Sequence, residues 1–162
     1  MSHASSPRAK ARWDFARAHI GSNTVEPVAA ASEASFRSYG RTHDEAGRSL
    51  IVMDSPPEKE DVRPWLDLHA RLATAGVRVP SIVAKDVENG FLLLEDLGGP
   101  TLLQTINAEN ADHWFDQALV QWLQIQQINT IEDLPAYDEA LIRRELALFP
   151  DWFLGTHLSV TL

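Results

Sequence analysis

The stretch at residues 90–100, GFLLLEDLGGP, constrains the fold of this chain more than any other. Four apolar residues, Phe91 to Leu94, run together before the chain breaks into Glu95-Asp96, Leu97 and the Gly98-Gly99 pair. A short apolar run bounded by glycines suits a strand buried on both faces. The acidic pair and the glycines then turn the backbone out of the sheet. The segment so formed can present bare N–H and C=O groups to a ligand.

A chain of 162 residues, 44% of them apolar, has the length and the oil for one real core. Fourteen Lys and Arg stand against twenty-three Asp and Glu, a formal charge of −9 that repels phosphodiester backbones and argues against a nucleic-acid partner. The absence of cysteine excludes disulfides and thiolate metal sites. No apolar run approaches the roughly twenty residues of a membrane span. The opening MSHASSPRAKAR is basic but has no apolar core behind it, so it does not read as a secretory signal. A cytoplasmic protein without membrane partners is the expectation.

Hydrophobic period and punctuation predict a helix over 7–20, with Trp13, Phe15, Ala16 and Ile20 leaning to one side and Gly21 as its stop. Strands are predicted at 25–29, 36–42 and 49–54, with turns at 31–33 and 44–47. Pro56-Pro57 ends the third strand. A helix starts at Pro64 and runs to residue 75, with Trp65, Leu68 and Leu72 as its buried stripe and Gly76 as its cap. Two more strands, 77–84 and 90–95, meet at the turn signal Asn89-Gly90. Helices over 101–106 and 112–128 follow, and a last one is capped by Asp138 and interrupted at Pro150. The predicted class is α+β, a five-stranded antiparallel sheet plus one helix, followed by helices only.

That element order resembles the N-terminal lobe of protein-kinase-like phosphotransferases. Within them, four segments resemble the aminoglycoside phosphotransferase/choline kinase-like group: ASFRSY at 34–39, LIVMDSPPEKED at 50–61, AGVRVP at 75–80 and GFLLLEDLGG at 90–99. With LFPDW at 148–152, the wording is most similar to bacterial kinases that phosphorylate N-acetylmuramate and N-acetylglucosamine at the anomeric hydroxyl. Order and spacing carry the likeness rather than any one segment. The resemblance implies a kinase-like N-lobe over 1–97, the first helices of an incomplete helical C-lobe over 98–162, use of ATP and Mg, and a role in peptidoglycan recycling.

By the same resemblance, the nucleotide-binding residues are Ser32, Ala34, Ser35, Arg37, Tyr39, Leu94, Glu95, Asp96 and Leu97. Ser32, Ala34 and Ser35 are small enough for a phosphate-covering turn, although an ordinary hairpin turn fits them as well. Arg37 and Tyr39 share a strand face by period two. The first is then the cation over the phosphates and the second packs near the adenine or ribose; a solvated strand arginine is the plainer alternative. Where protein kinases place a phosphate-clamping lysine on the third strand, this chain has Met53 or Asp54, and Lys59 lies beyond two prolines, poorly placed to substitute. Glu58, Glu60 and Asp61 either orient Arg37 or form the solvated first turn of a helix, the latter being favoured. The Glu95 carbonyl and Leu97 N–H are expected to meet the adenine edge, with Leu93 or Leu94 beneath the ring. A strand-to-helix connection holding no ligand is the alternative.

Phosphoryl transfer in such folds needs an Asp that orients the acceptor, then an Asn and a second Asp that hold Mg. Beyond residue 100 the histidines His113 and His157 show no His-x-Asp spacing with a following Asn, and both read as surface or helix-end residues. No catalytic residue and no metal ligand is therefore assigned. The expectation is a truncated chain without turnover, or alternatively a non-catalytic nucleotide-binding or interaction module. Trp122, Leu123, Ile125, Trp152 and Phe153 are expected to lack partners and to favour self-association.

Overall fold

A computed structural model describes residues 6–21, 25–32, 35–128 and 134–160. The chain divides into two compact units, Met1–Ile128 and Asn129–Leu162. In the first, helix α1 (Pro7–Ile20) begins where the Ser6 hydroxyl accepts the Ala9 N–H and Pro7 occupies the first turn. Strands β1 (Val28–Ser32), β2 (Ser38–His43), β3 (Ser49–Asp54), β4 (Ile82–Asp86) and β5 (Phe91–Glu95) form one antiparallel sheet in the order β1-β2-β3-β5-β4. The apolar run of β5 thus lies between β3 and β4, with Phe91 to Leu94 all buried.

Alternation along β3 splits the core in two. Leu50 and Val52 join Leu93, Ala16 and Ile20 on the side of α1. Ile51 and Met53 join Leu92, Leu94 and Val62 on the side of α2 (Arg63–Thr74). The helix α2 ends in a glycine cap. Gly76, at φ +78, donates to the Ala73 carbonyl, and the next N–H, of Val77, reaches back to Leu72.

Several boundaries differ from the sequence expectation for local reasons. The strand expected at 25–29 begins at Val28, because Pro27 has no N–H for the ladder and the Val25 carbonyl is taken by the Thr42 hydroxyl at 2.7 Å. Ser32 is consequently the last residue of β1, paired with Ser38, and not part of a turn. The strand expected at 77–84 begins at Ile82: the Val77 N–H closes the helix cap, the Arg78 N–H goes to Gln121, and Pro80 has none. On α2, Trp65 and Leu66 pack on the core, while Leu68 is half exposed. The stripe follows Val62 at i+3 and i+4, so Leu66 takes the place expected for Leu68.

The first unit continues through α3 (Leu102–Thr105) and α4 (Ala111–Gln126). The second contains α5 (Glu139–Leu148), capped by the Asp138 carboxylate on the Leu141 N–H at 2.9 Å. The α-helix ends at Leu148, within a residue of the stop expected before Pro150. The chain then widens into a π-helical stretch, Phe149–His157, with Pro150, which has no N–H to continue the α-helical bonding, near its start.

Candidate functional site

Two consecutive carboxylates leave β5 in opposite directions. The Glu95 N–H donates to the Ser81 carbonyl at 2.8 Å, tying the strand end to the approach of β4. Its carboxylate accepts the Ser81 N–H and hydroxyl, each at 3.0 Å, and a two-pronged contact from the Arg78 guanidinium. Those donors, Arg78 foremost, hold the Glu95 carboxyl down to about 2. Asp96 turns towards β2 and β3, where it accepts from Arg41 at 2.6 and 3.1 Å, from the Ser49 hydroxyl at 2.5 Å and from the Gly98 N–H at 2.9 Å. The Arg41 hydrogen bond, before all else, keeps the Asp96 carboxyl well below the usual carboxylate range.

The backbone between these anchors is fixed, and Leu97 follows with its side chain exposed. No described residue accepts the Leu97 N–H. Gly98 and Gly99, at φ +62 and +73, then bend the chain through a left-handed path that favours glycine. Three residues beyond Leu97 an open apolar hollow of about 440 Å³ begins, lined by Pro100, Leu102, Trp114 and Ala118 among others.

The other half of the expected site lies at the opposite end of β2. Ala34 lies outside the described residues. Ser35 accepts the Arg37 N–H at 3.3 Å. The Arg37 Nε stands 3.1 Å from a Glu60 carboxylate oxygen, an ion-pair contact without hydrogen-bond geometry, so Glu60 pairs with Arg37 where the sequence favoured a solvated residue. Asp61 instead pairs with Arg63, and Glu58 is exposed. Tyr39 pairs with Met53 across the β2–β3 ladder and packs half-buried on the α2 side of the sheet, the side that also holds Leu94. From Arg37 to Arg41 is four strand steps, about 13 Å.

Neither third-strand candidate is exposed. Met53 is fully buried among apolar side chains. Asp54 points to the α1 side, where the Arg8 guanidinium donates to it at 2.6 and 2.9 Å while also reaching the Asn89 carbonyl. Lys59 is nearer the β1–β2 turn than its sequence position suggests, with its Nζ 5.7 Å from the centre of the Phe36 ring. His113 lies against Trp114, and His157, in the π-helical stretch, lies against Phe153. Among the described residues no group of three or more His, Asp or Glu side chains is placed to hold a metal ion. Nor is any described helix long and apolar enough to cross a membrane.

Sequence reasoning missed Arg41, Ser49, Arg78 and Ser81, the side chains that hold the acidic pair. Arg41 had a signal, since it lies two residues beyond Tyr39 on the same strand face. For Arg78 and Ser81, in an irregular loop, there was none.

Comparison with known proteins agrees with this architecture. Residues 26–160 match the family model described as "Phosphotransferase enzyme family". The chain is 52% identical over 138 residues to the N-acetylmuramate/N-acetylglucosamine kinase of Pseudomonas aeruginosa, covering 85% of this chain and 40% of that protein. It is 49% identical over 134 residues to the protein of the same name from Pseudomonas putida, covering 83% and 39%. To the one from Neisseria meningitidis it is 33% identical over 134 residues, covering 80% and 40%. The chain therefore spans about 40% of the length of these relatives. With most of its residues inside the match, it belongs to the phosphotransferase enzyme family.

Proposed function

We propose that this chain is the nucleotide-holding part of an ATP-dependent amino-sugar kinase, with residues 1–97 as its kinase-like lobe and 98–162 as helices of a second lobe. One observation carries the reading. Where β5 leaves the sheet, Arg78 and Arg41 draw both carboxylates aside, and the Leu97 N–H is left without a described acceptor. A purine edge needs such a backbone donor on a rigid path. The base then rests near Leu94 and the Glu95–Leu97 backbone, and the phosphates extend along β2 past Tyr39 towards Ser32, Ser35 and Arg37. A span of about 13 Å with a donor at one end and a guanidinium at the other suits a nucleoside triphosphate.

The names of the relatives support N-acetylmuramate or N-acetylglucosamine as the acceptor. On this reading the reaction moves the γ-phosphoryl of ATP to the anomeric hydroxyl of such a sugar, in the cytoplasm, in the recycling of peptidoglycan. The residues that would orient the acceptor and hold Mg are not recognisable within the 162 residues. Charge-neutralising groups of that kind are worth roughly a thousandfold or more each, so the chain is expected to bind nucleotide without turnover.

A thermal-shift titration with Mg-ATP tests the first part. A rise in melting temperature supports it, because a ligand bound only by the folded state stabilises that state; an unmoved melting curve contradicts it. An assay with γ-labelled ATP and either sugar tests the second, and measurable transfer would overturn the expectation of no turnover. Self-association is proposed as well, on the exposure of Trp122 and Leu123 in α4 and, in the second unit, of Trp152 and Phe153. Light scattering showing a monomer at all concentrations would refute it.

A further inference from the structure

We infer that Lys59, beside Arg37, grips the phosphate tail of the nucleotide and takes the place of the cation missing from the third strand. The inference rests on the nucleotide reading above and adds a residue to it. The third strand itself offers nothing, since Met53 is sealed in the core and Asp54 is held by Arg8 on the far side of the sheet. The segment after it compensates by folding back. Ser55 is buried, donates its N–H to the Gly90 carbonyl at 2.8 Å and its hydroxyl to the Glu60 carbonyl at 2.9 Å. Across the Pro56-Pro57 turn, the N–H groups of Lys59 and Glu60 both return to the Pro56 carbonyl, at 2.8 and 2.9 Å. The prolines that made Lys59 look remote in sequence are the device that turns it round.

The pinned turn sets residues 59 and 60 alongside residues 36 and 37. Glu60 pairs with Arg37, and the Lys59 ammonium lies over the ring of Phe36, itself 65% exposed at the hairpin. A large apolar ring left in solvent there restrains the lysine through its negative face. The charges are uneven: Arg37 is balanced by Glu60, whereas no carboxylate among the described residues pairs with Lys59. The exposed Glu58 is a near neighbour in sequence and reduces, without cancelling, the local positive field. In a chain of net charge −9, an unbalanced ammonium near a second cation, Arg37, is a place for an anion, and a compact point charge suits phosphate oxygens.

The test measures binding of ATP and of adenosine, separately, to the 162-residue chain and to Lys59→Gln by titration calorimetry. Lys59 is exposed, so the substitution leaves folding intact, which circular dichroism verifies. The expected result is an ATP affinity about tenfold lower in Lys59→Gln with adenosine unchanged, and recovery of most of that loss in Lys59→Arg. Unchanged ATP affinity in Lys59→Gln overturns the role of Lys59 and leaves the nucleotide reading standing. Equal weakening of ATP and adenosine also overturns it, since a phosphate contact cannot be felt by a ligand without phosphates. Failure of the unaltered chain to bind either ligand overturns the nucleotide reading, and this assignment falls with it.

Discussion

Strand β5 and helix α4 each carry several large apolar side chains, and the fold treats them in opposite ways. In β5 the four residues from Phe91 to Leu94 are all buried, because β3 and β4 flank the strand and the clusters built on α1 and α2 cover its two faces. In α4 no residue is buried, and Phe115, Leu119, Trp122 and Leu123 are each half exposed or more. What α4 offers the loop before β4 is polar: Gln121 accepts the Arg78 N–H at 2.8 Å, and Gln124 lies beside Gly76. An apolar stripe declares which face of an element needs cover. Whether that cover exists among the described residues is decided by topology, and here only the sheet has it.

The largest expected effect tests this contrast directly. Leu93→Ala removes a fully buried side chain from the α1 cluster and should cost about 3 kcal/mol of unfolding free energy. Leu119→Ala, from the exposed stripe of α4, should cost less than about 1 kcal/mol. Urea titration of both variants reads the difference. Similar losses would mean that α4 is covered in solution, by a second copy or otherwise.

A smaller effect separates packing from backbone conformation within the sheet itself. Gly90 joins β4 to β5 at φ +72, and a Cβ there would stand 1.9 Å from the Ser55 carbonyl oxygen. Gly47 joins β2 to β3 at φ +79 with open space around it. Both glycines become strained on substitution, but only Gly90→Ala also displaces a neighbouring backbone. Gly47→Ala should cost about 1 kcal/mol and Gly90→Ala at least about 2, measured by the same urea titration. Equal costs would show that the Ser55 turn yields easily, which would also loosen the support of Lys59.

Much of the sheet was legible because its signals are local. Helix α1 and strands β3 and β5 follow period, proline and glycine closely enough for their bounds to be predicted to within a residue. The starts of β1 and β4 were not legible, because the N–H groups and carbonyls that would have extended them are spent on Thr42, Leu72 and Gln121. The candidate site divides in the same way. An apolar run ending in Glu95-Asp96 marks where the backbone leaves the sheet, and the sequence says so unaided. Its rigidity is not written locally, since Arg41 reaches Asp96 across 55 residues and Ser49 across 47. Only the registers of β2 on β3 and β3 on β5, Arg41 with Ile51 and Ile51 with Leu94, bring those groups together. Lys59 was misjudged for a related reason: two prolines read as a spacer and act as a turn.

The smallest expected effect lies at the joint where the sheet gives way to the helices, and it depends on pH. Glu95 and Asp96 have carboxyl groups held below their ordinary range, Glu95 at about 2. A depressed carboxyl favours the folded state above its ordinary value, about 4 for Asp and Glu, and that contribution disappears as pH falls towards the folded value. The unaltered chain should therefore lose urea resistance between about pH 4.3 and pH 2. Arg78→Gln and Arg41→Gln remove the foremost donor to each carboxylate, so each should lower the urea midpoint at pH 7 and flatten the acid decline, Arg78→Gln converging with the unaltered chain near pH 2 and Arg41→Gln only at still lower pH. Arg143→Gln is the counterpart on a helix, where Arg143 and Glu139 form an exposed pair four residues apart in α5. Its curve should overlie that of the unaltered chain, since exposed pairs of this kind contribute little. If Arg143→Gln bends the acid limb as much as Arg41→Gln does, the ion pairs at the joint are no more structural than those on the helices, and the rigid exit from β5 is lost as the basis of the site.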